Sequence, residues 1–199
     1  MRAIRTIFLA VFSAVFSAVI ASTIAYFVFV RPRLRTWGLD PTEADLPLPG
    51  DDLVAQPTAT ETRGIVIDAP VAKVWPWLVQ MGFGRAGWYS YDALDNKGES
   101  AESIVPEYQD LKAGDIMPTH PGGGFLVKTV ETERALVLYT DTALVREQAE
   151  KARAEDKAEL PTMGLKMTGG MMSASFPEFA ASWTYFLKPI EGDRTRLIE

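Results

Sequence analysis

The stretch GIVIDAPVAKVWPWLVQMG, residues 64–82, leaves this chain few ways to fold. Its β-branched start, with Ile65 and Ile67 alternating against Gly64, Val66 and Asp68, favours an extended strand. Asp68 is placed to cap a following helix, and Pro70 suits a first turn that has no internal partner for its N–H. Val71, Val74, Trp75 and Leu78 then fall on one helical face, with Met81 after them. Trp75, Trp77, Trp88, Tyr89 and Tyr91 crowd the same region. A strand, an apolar helix and an aromatic-rich segment in that order predict a wall around an apolar cavity.

Further elements follow by the same logic. Residues 82–87 read as a bend and residues 90–96 as a short helix, with a turn at 112–115 leading into a short strand. Residues 125–132 and 134–141 predict one hairpin; residues 182–189, a turn at 191–193 and a strand from Thr195 predict another. Between the hairpins, residues 142–159 are alanine-rich and charge-laced, with Glu147 four residues before Lys151, and read as a solvated helix. Met163, Met167 and Met171 then recur at intervals of four, beside Leu160 and Met172. Such a stripe suits the packing of an inserted helix, a lid over a cavity or a surface dipping into a bilayer. Gly164, Gly169 and Gly170 oppose a rigid helix there.

Three segments, TRGIVIDAPVAKVWPWLVQMGFGRAGWYSYDALDN, VPEYQDLKAGDIMP and SWTYFLKPIEGDRTRLIE, resemble the SRPBCC superfamily of START-like, helix-grip proteins. That superfamily includes lipid-transfer domains, pollen allergens and polyketide cyclases, and the likeness is greatest to its bacterial, membrane-tethered type. It extends over residues 61–199. The resemblance implies an α+β fold: a curved antiparallel sheet with helices, two of them short and bridging the first two strands. It also implies a cavity for a hydrophobic small molecule or lipid, closed by a long C-terminal helix. Two departures stand out. Residues 142–181 form an insertion, and the sequence stops at Glu199, inside or just after a strand. The closing helix is therefore expected to be absent from this chain, which is either a fragment or one in which another element takes that place.

Ahead of this domain, residues 6–30 carry no charged side chain, a run long enough to cross a bilayer with some tilt. A signal peptide is the competing reading, given Arg2 and Arg5. The run exceeds a usual signal core, however, and ends in Arg31, Arg33 and Arg35, a flank suited to holding a helix in place. Residues 1–35 thus read as a single-pass membrane anchor. The slight arginine excess after the helix favours a cytoplasmic domain. Ala10, Ala14 and Ala18 form a small-residue stripe, either a homodimer seam or part of a generic alanine-rich span. Residues 36–60, rich in proline, glycine and acids, read as a linker whose Leu46, Leu48, Leu53 and Val54 pack on the domain.

The five arginines up to Arg35 are the only charged side chains of the anchor. Removing them from 20 bases leaves 15 against 26 acids, a net −11 beyond the anchor. Phosphate backbones repel such a domain, so nucleic acid is excluded as a partner. With no cysteine and one histidine, His120, the chain offers neither disulfides nor a zinc ligand set. His120, beside Pro121 and three glycines, reads as a solvent-facing loop residue rather than a general base. Gly82, Gly84 and Gly87 match G-x-G-x-x-G, but the motif leaves a helix instead of a strand, the wrong setting for a dinucleotide. No metal or cofactor is implied.

Candidate ligand-binding residues are Trp75, Leu78, Arg85, Trp88, Tyr89, Tyr91, Phe125, Tyr139, Trp183 and Tyr185. Arg85 either meets an anionic head group or pairs with Glu107 or Asp110, the pairing being the favoured reading. The aromatics either fill an ordinary core or line a cavity. The expected function is non-covalent, membrane-tethered binding of a hydrophobic small molecule or lipid. The alternatives are a cyclase or dehydratase using Arg85, Tyr89 or Asp92, and a non-catalytic membrane-anchored interaction module.

Overall fold

The computed structural model describes residues 2–96, 98–154 and 178–199. The Met-rich stripe from Leu160 to Met172 lies outside the described residues. The chain forms two compact units, Met1–Asp45 with Ala59–Gly64, and Leu46–Thr58 with Ile65–Glu199.

The first unit is built on helix α1 (Arg2–Ala25), a π-helical turn (Tyr26–Val30) and α2 (Arg31–Arg35). Within it, Leu9–Arg35 is long and apolar enough to cross a membrane. The wide turn has a local cause. Pro32 has no N–H and its ring crowds the carbonyl four residues back, so the helix loosens just before it, and the Arg31 amide reaches back to Tyr26 O. The helix end is then clasped by residues 59–64. Thr62 N donates to Arg35 O at 2.8 Å and Gly64 N to Trp37 O at 3.1 Å. Arg35 Nε donates to Thr60 O, and Arg63 Nε to Leu34 O. Gly38 permits this approach: its φ is +74°, and a Cβ there would lie 2.1 Å from Gly64 O.

The second unit is α+β. Strands β1 (Gly64–Ile67), β2 (Ile116–His120), β3 (Gly123–Glu131), β4 (Ala135–Asp141), β5 (Ala180–Ile190) and β6 (Arg194–Ile198) form one antiparallel sheet, curled as a half-barrel, in the order β1-β6-β5-β4-β3-β2. Both expected hairpins are present. The β3–β4 turn places Glu133 at φ +58°, and the β5–β6 turn uses Gly192 and Asp193 at positive φ. A bulge at Lys128 keeps Val127 and Val130 on the same face, opposite Leu138 and Leu136.

Helix α3 (Val71–Val79) lies on the inner face of the sheet. Its buried Val71, Val74, Trp75 and Leu78, the face the helical periodicity anticipated, and Val79 beside them join Leu136, Leu138, Tyr185 and Leu187 in one core. Its start differs from expectation. Asp68 is exposed and does not cap the helix; the cap position is Pro70, whose carbonyl accepts from Lys73 N and Val74 N. Ala69 and Pro70 set the carboxylate too far back to reach the first amides. The turn is pinned from the sheet instead, by fully buried Thr195, whose Oγ1 donates to Ala69 O at 2.7 Å.

The outer face is covered in part by residues 46–58. Thr184 Oγ1 donates to Pro49 O at 2.7 Å, and Leu48, Leu53 and Val54 are half-buried while Leu46 stays exposed. Helix α5 (Thr142–Ala154) packs on β3 and β4, with Gln148 bonding both N and O of Gly124. Among the described residues Glu147 and Lys151 form no ion pair. Short helix α4 (Asp92–Asp95) sits where a second bridging helix was expected.

Candidate functional site

A groove of about 400 Å³ opens beside α3. Its apolar lining comes from Ile67 at the end of β1, Ala69 in the pinned turn, and Val74, Trp77 and Leu78 on the helix. Lys73 and Tyr89 complete it. The sequence places them so for a simple reason: positions 73, 74, 77 and 78 share one edge of a helix whose adjoining face is already committed to the core.

Tyr89 is held in the wall by a network that sequence reading missed. Gln80 is fully buried, and every polar atom of its side chain is used. Its Nε2 donates to Tyr89 Oη at 2.8 Å and to Ser103 O at 3.3 Å, while Oε1 accepts from Val105 N and Gln109 Nε2. Tyr89 Oη in turn donates to Trp77 O at 3.2 Å, and its ring meets Trp77 edge-on at 5.6 Å. Tyr89 pays for this position with a φ of +56°. Burial raises its hydroxyl pKa, offset by the Gln80 bond, so it stays a neutral phenol. The only hint in the sequence was a polar residue following the apolar helix face.

The candidate ligand residues separate into distinct places. Leu78 and Tyr89 line the groove, and Trp75 is buried in the core under α3. Trp88, Phe125, Trp183 and Tyr185 form a second cluster on the inner face. Trp88 stacks on Trp183 at 5.9 Å, Phe125 meets Trp183 edge-on at 6.0 Å, and Trp183 lies 5.2 Å from Tyr185. Burial, with the Glu199 carboxylate adding to it, pushes the Tyr185 hydroxyl far above the ordinary phenol range. Tyr139 sits one register step off, on the opposite face, bonding Asp141 and lying under the Lys128 ammonium. Tyr91 is 76% exposed on the short-helix loop.

Arg85 departs from the favoured pairing. Its Nη2 donates to Val79 O and Tyr108 O, and its guanidinium lies 4.8 Å over the Tyr108 ring, while Asp110 bonds Lys112 instead. Backbone carbonyls and an aromatic face replace a carboxylate, and burial lowers the arginine's pKa despite Tyr108 and Asp115. His120 also differs from expectation: it ends β2, half-buried, with Nδ1 2.9 Å from Thr119 Oγ1, and burial lowers its pKa. The glycine motif folds on itself. Gly82 and Gly87 exchange backbone bonds, Arg85 N reaches Gly82 O and Gly84 N reaches Asn96, so these amides are spent internally. Asp92 accepts from the Ser100 hydroxyl and amide, which hold its carboxyl below the usual range. Among the described residues no group of three or more acidic or histidine side chains is placed to hold a metal ion.

Compared with known proteins, the chain matches no family, no curated protein and no solved structure.

Proposed function

We propose that this chain is a membrane-tethered carrier that holds a hydrophobic small molecule or lipid, without covalent chemistry, in a helix-grip cavity. The observation that carries the reading is the groove of about 400 Å³, whose walls are apolar and already formed. A guest losing about 300 Å² of apolar surface at about 25 cal/mol per Å² gains roughly 7 kcal/mol, before association costs. The groove is held open by fixed neighbours, Thr195 on the Ala69 side and Gln80 on the Tyr89 side, so little ordering accompanies binding.

The helix-grip assignment is supported by the strand order, with β1 beside β6 and β2 on the far edge, and by two helices, α3 and α4, between the first two strands. The stacked aromatics on the inner face form a separate cluster packed in and against the core, outside the groove's lining. Residues 6–30 would seat the chain in the cell membrane, where tethering raises the concentration of the domain near a lipid source. Arg31, Arg33 and Arg35 against Arg2 and Arg5 favour a cytoplasmic domain, and the Ala10, Ala14 and Ala18 stripe offers a homodimer seam.

Native mass spectrometry of the full chain released from lipid nanodiscs tests the reading. An apolar adduct that is lost in Ala69→Phe, a substitution that fills the groove, supports it. A bare mass in the wild type, or an adduct untouched by Ala69→Phe, removes it.

A further inference from the structure

The groove is apolar except at two points, and these differ in kind. The Tyr89 hydroxyl is committed, accepting from Gln80 Nε2 and donating to Trp77 O. Lys73 is not: it is the one charged side chain of the lining, and among the described residues its ammonium meets no carboxylate within ion-pair distance. Asp68, five residues earlier and exposed, is not such a partner. The second unit is otherwise acidic, so an uncommitted cation on the lip of an apolar groove is a selective feature. Resting on the carrier reading, we propose that the guest is a single-chain amphiphile with one acidic head group. Its tail lies along Val74, Trp77 and Leu78, and its carboxylate or phosphate meets the Lys73 ammonium at the rim.

Such a pairing sets specificity more than affinity, because Lys73 is exposed and water competes for it. The neutral analogue of the same chain length keeps the apolar burial and loses only the head-group contact.

Trp77 makes the test local. The full chain in phosphatidylcholine nanodiscs is titrated with 10-bromodecanoate and, separately, 10-bromodecanol, with quenching of tryptophan fluorescence as the readout. Trp77→Phe identifies the part of the signal that comes from the groove. The proposal expects Lys73→Gln to weaken the carboxylate about fivefold and leave the alcohol unchanged, with Lys73→Arg restoring wild-type behaviour. Comparing variants with one probe cancels its partition into the bilayer. If Lys73→Gln shifts both probes equally, or neither, the acidic head group is wrong while the groove stands. If neither probe quenches in a Trp77-dependent way, the carrier reading fails and this proposal goes with it.

Discussion

Replacing Gln80 by leucine removes the side chain that organises residues 89–109 while keeping its bulk. The cost can be worked from its partners. Val105 N is half-buried and bonds only Gln80 Oε1, so it is orphaned, at about 1–3 kcal/mol. Tyr89 Oη keeps Trp77 O, and Gln109 Nε2 keeps Pro76 O and Val105 O, so each loses one bond of about 0.5–1 kcal/mol. Ser103 is exposed, and its carbonyl turns to water at little cost. The sum is about 2–5 kcal/mol, which lowers Tm by roughly 7–14 °C at its middle value. Thermal melting of the full chain in nanodiscs, followed by near-ultraviolet circular dichroism, reads this directly. Tyr89→Phe keeps the ring against Trp77 and drops only the hydroxyl, so it should lower Tm by about a third as much. A fall under 2 °C for Gln80→Leu, or an equal fall for both variants, refutes the reasoning.

Other consequences can be checked alongside. Gly38→Ala places a Cβ against Gly64 O and should open the clasp at the end of α2, raising amide exchange at Thr62 and Gly64 without altering exchange in β4. His120 has its pKa lowered by burial, so its neutral form is favoured when folded. That contribution is complete above the ordinary value of 6.5 and is lost as pH falls through the lowered folded value, so Tm should drop on acidification and less so in His120→Gln. Asp92 has its pKa lowered chiefly by Ser100; protonation on acidification should release the Ser100 amide, seen as faster exchange, and Asp92→Asn should show that release at neutral pH. A single cysteine in place of exposed Glu191, in a chain with none of its own, should resist an impermeant maleimide in intact cells if the domain is cytoplasmic.

Much of the fold was legible because its signals are local. Alternation at Ile65 and Ile67, the helical spacing of Val71, Val74 and Leu78, and the Glu191, Gly192, Asp193 turn each depend on neighbours a few residues apart. What escaped depends on distant partners. Nothing in the sequence announces that Arg35 O accepts from Thr62 N, or that Pro49 O accepts from Thr184. Arg85 was assigned a carboxylate because charges are visible in a sequence and backbone carbonyls are not. His120 read as a loop residue because Pro121 and three glycines follow it; β2 nevertheless runs through to His120 as an edge strand, where the missing N–H of its Pro118 is tolerated and Pro118 O still accepts from Phe83 N. The candidate site was half legible: Leu78 and Tyr89 were named and Trp77 stood among the crowded aromatics, whereas Lys73 and Gln80 look unremarkable until the helix is set on the sheet.

Photo-crosslinking with a diazirine-bearing alkyl carboxylate on the full chain in nanodiscs, followed by peptide mapping, locates the guest itself. The account predicts labels on the peptides carrying Ile67 to Leu78 and Tyr89, competed away by unlabelled decanoate and absent in Ala69→Phe. Labels confined to the membrane helix, or spread evenly over the surface, would contradict it.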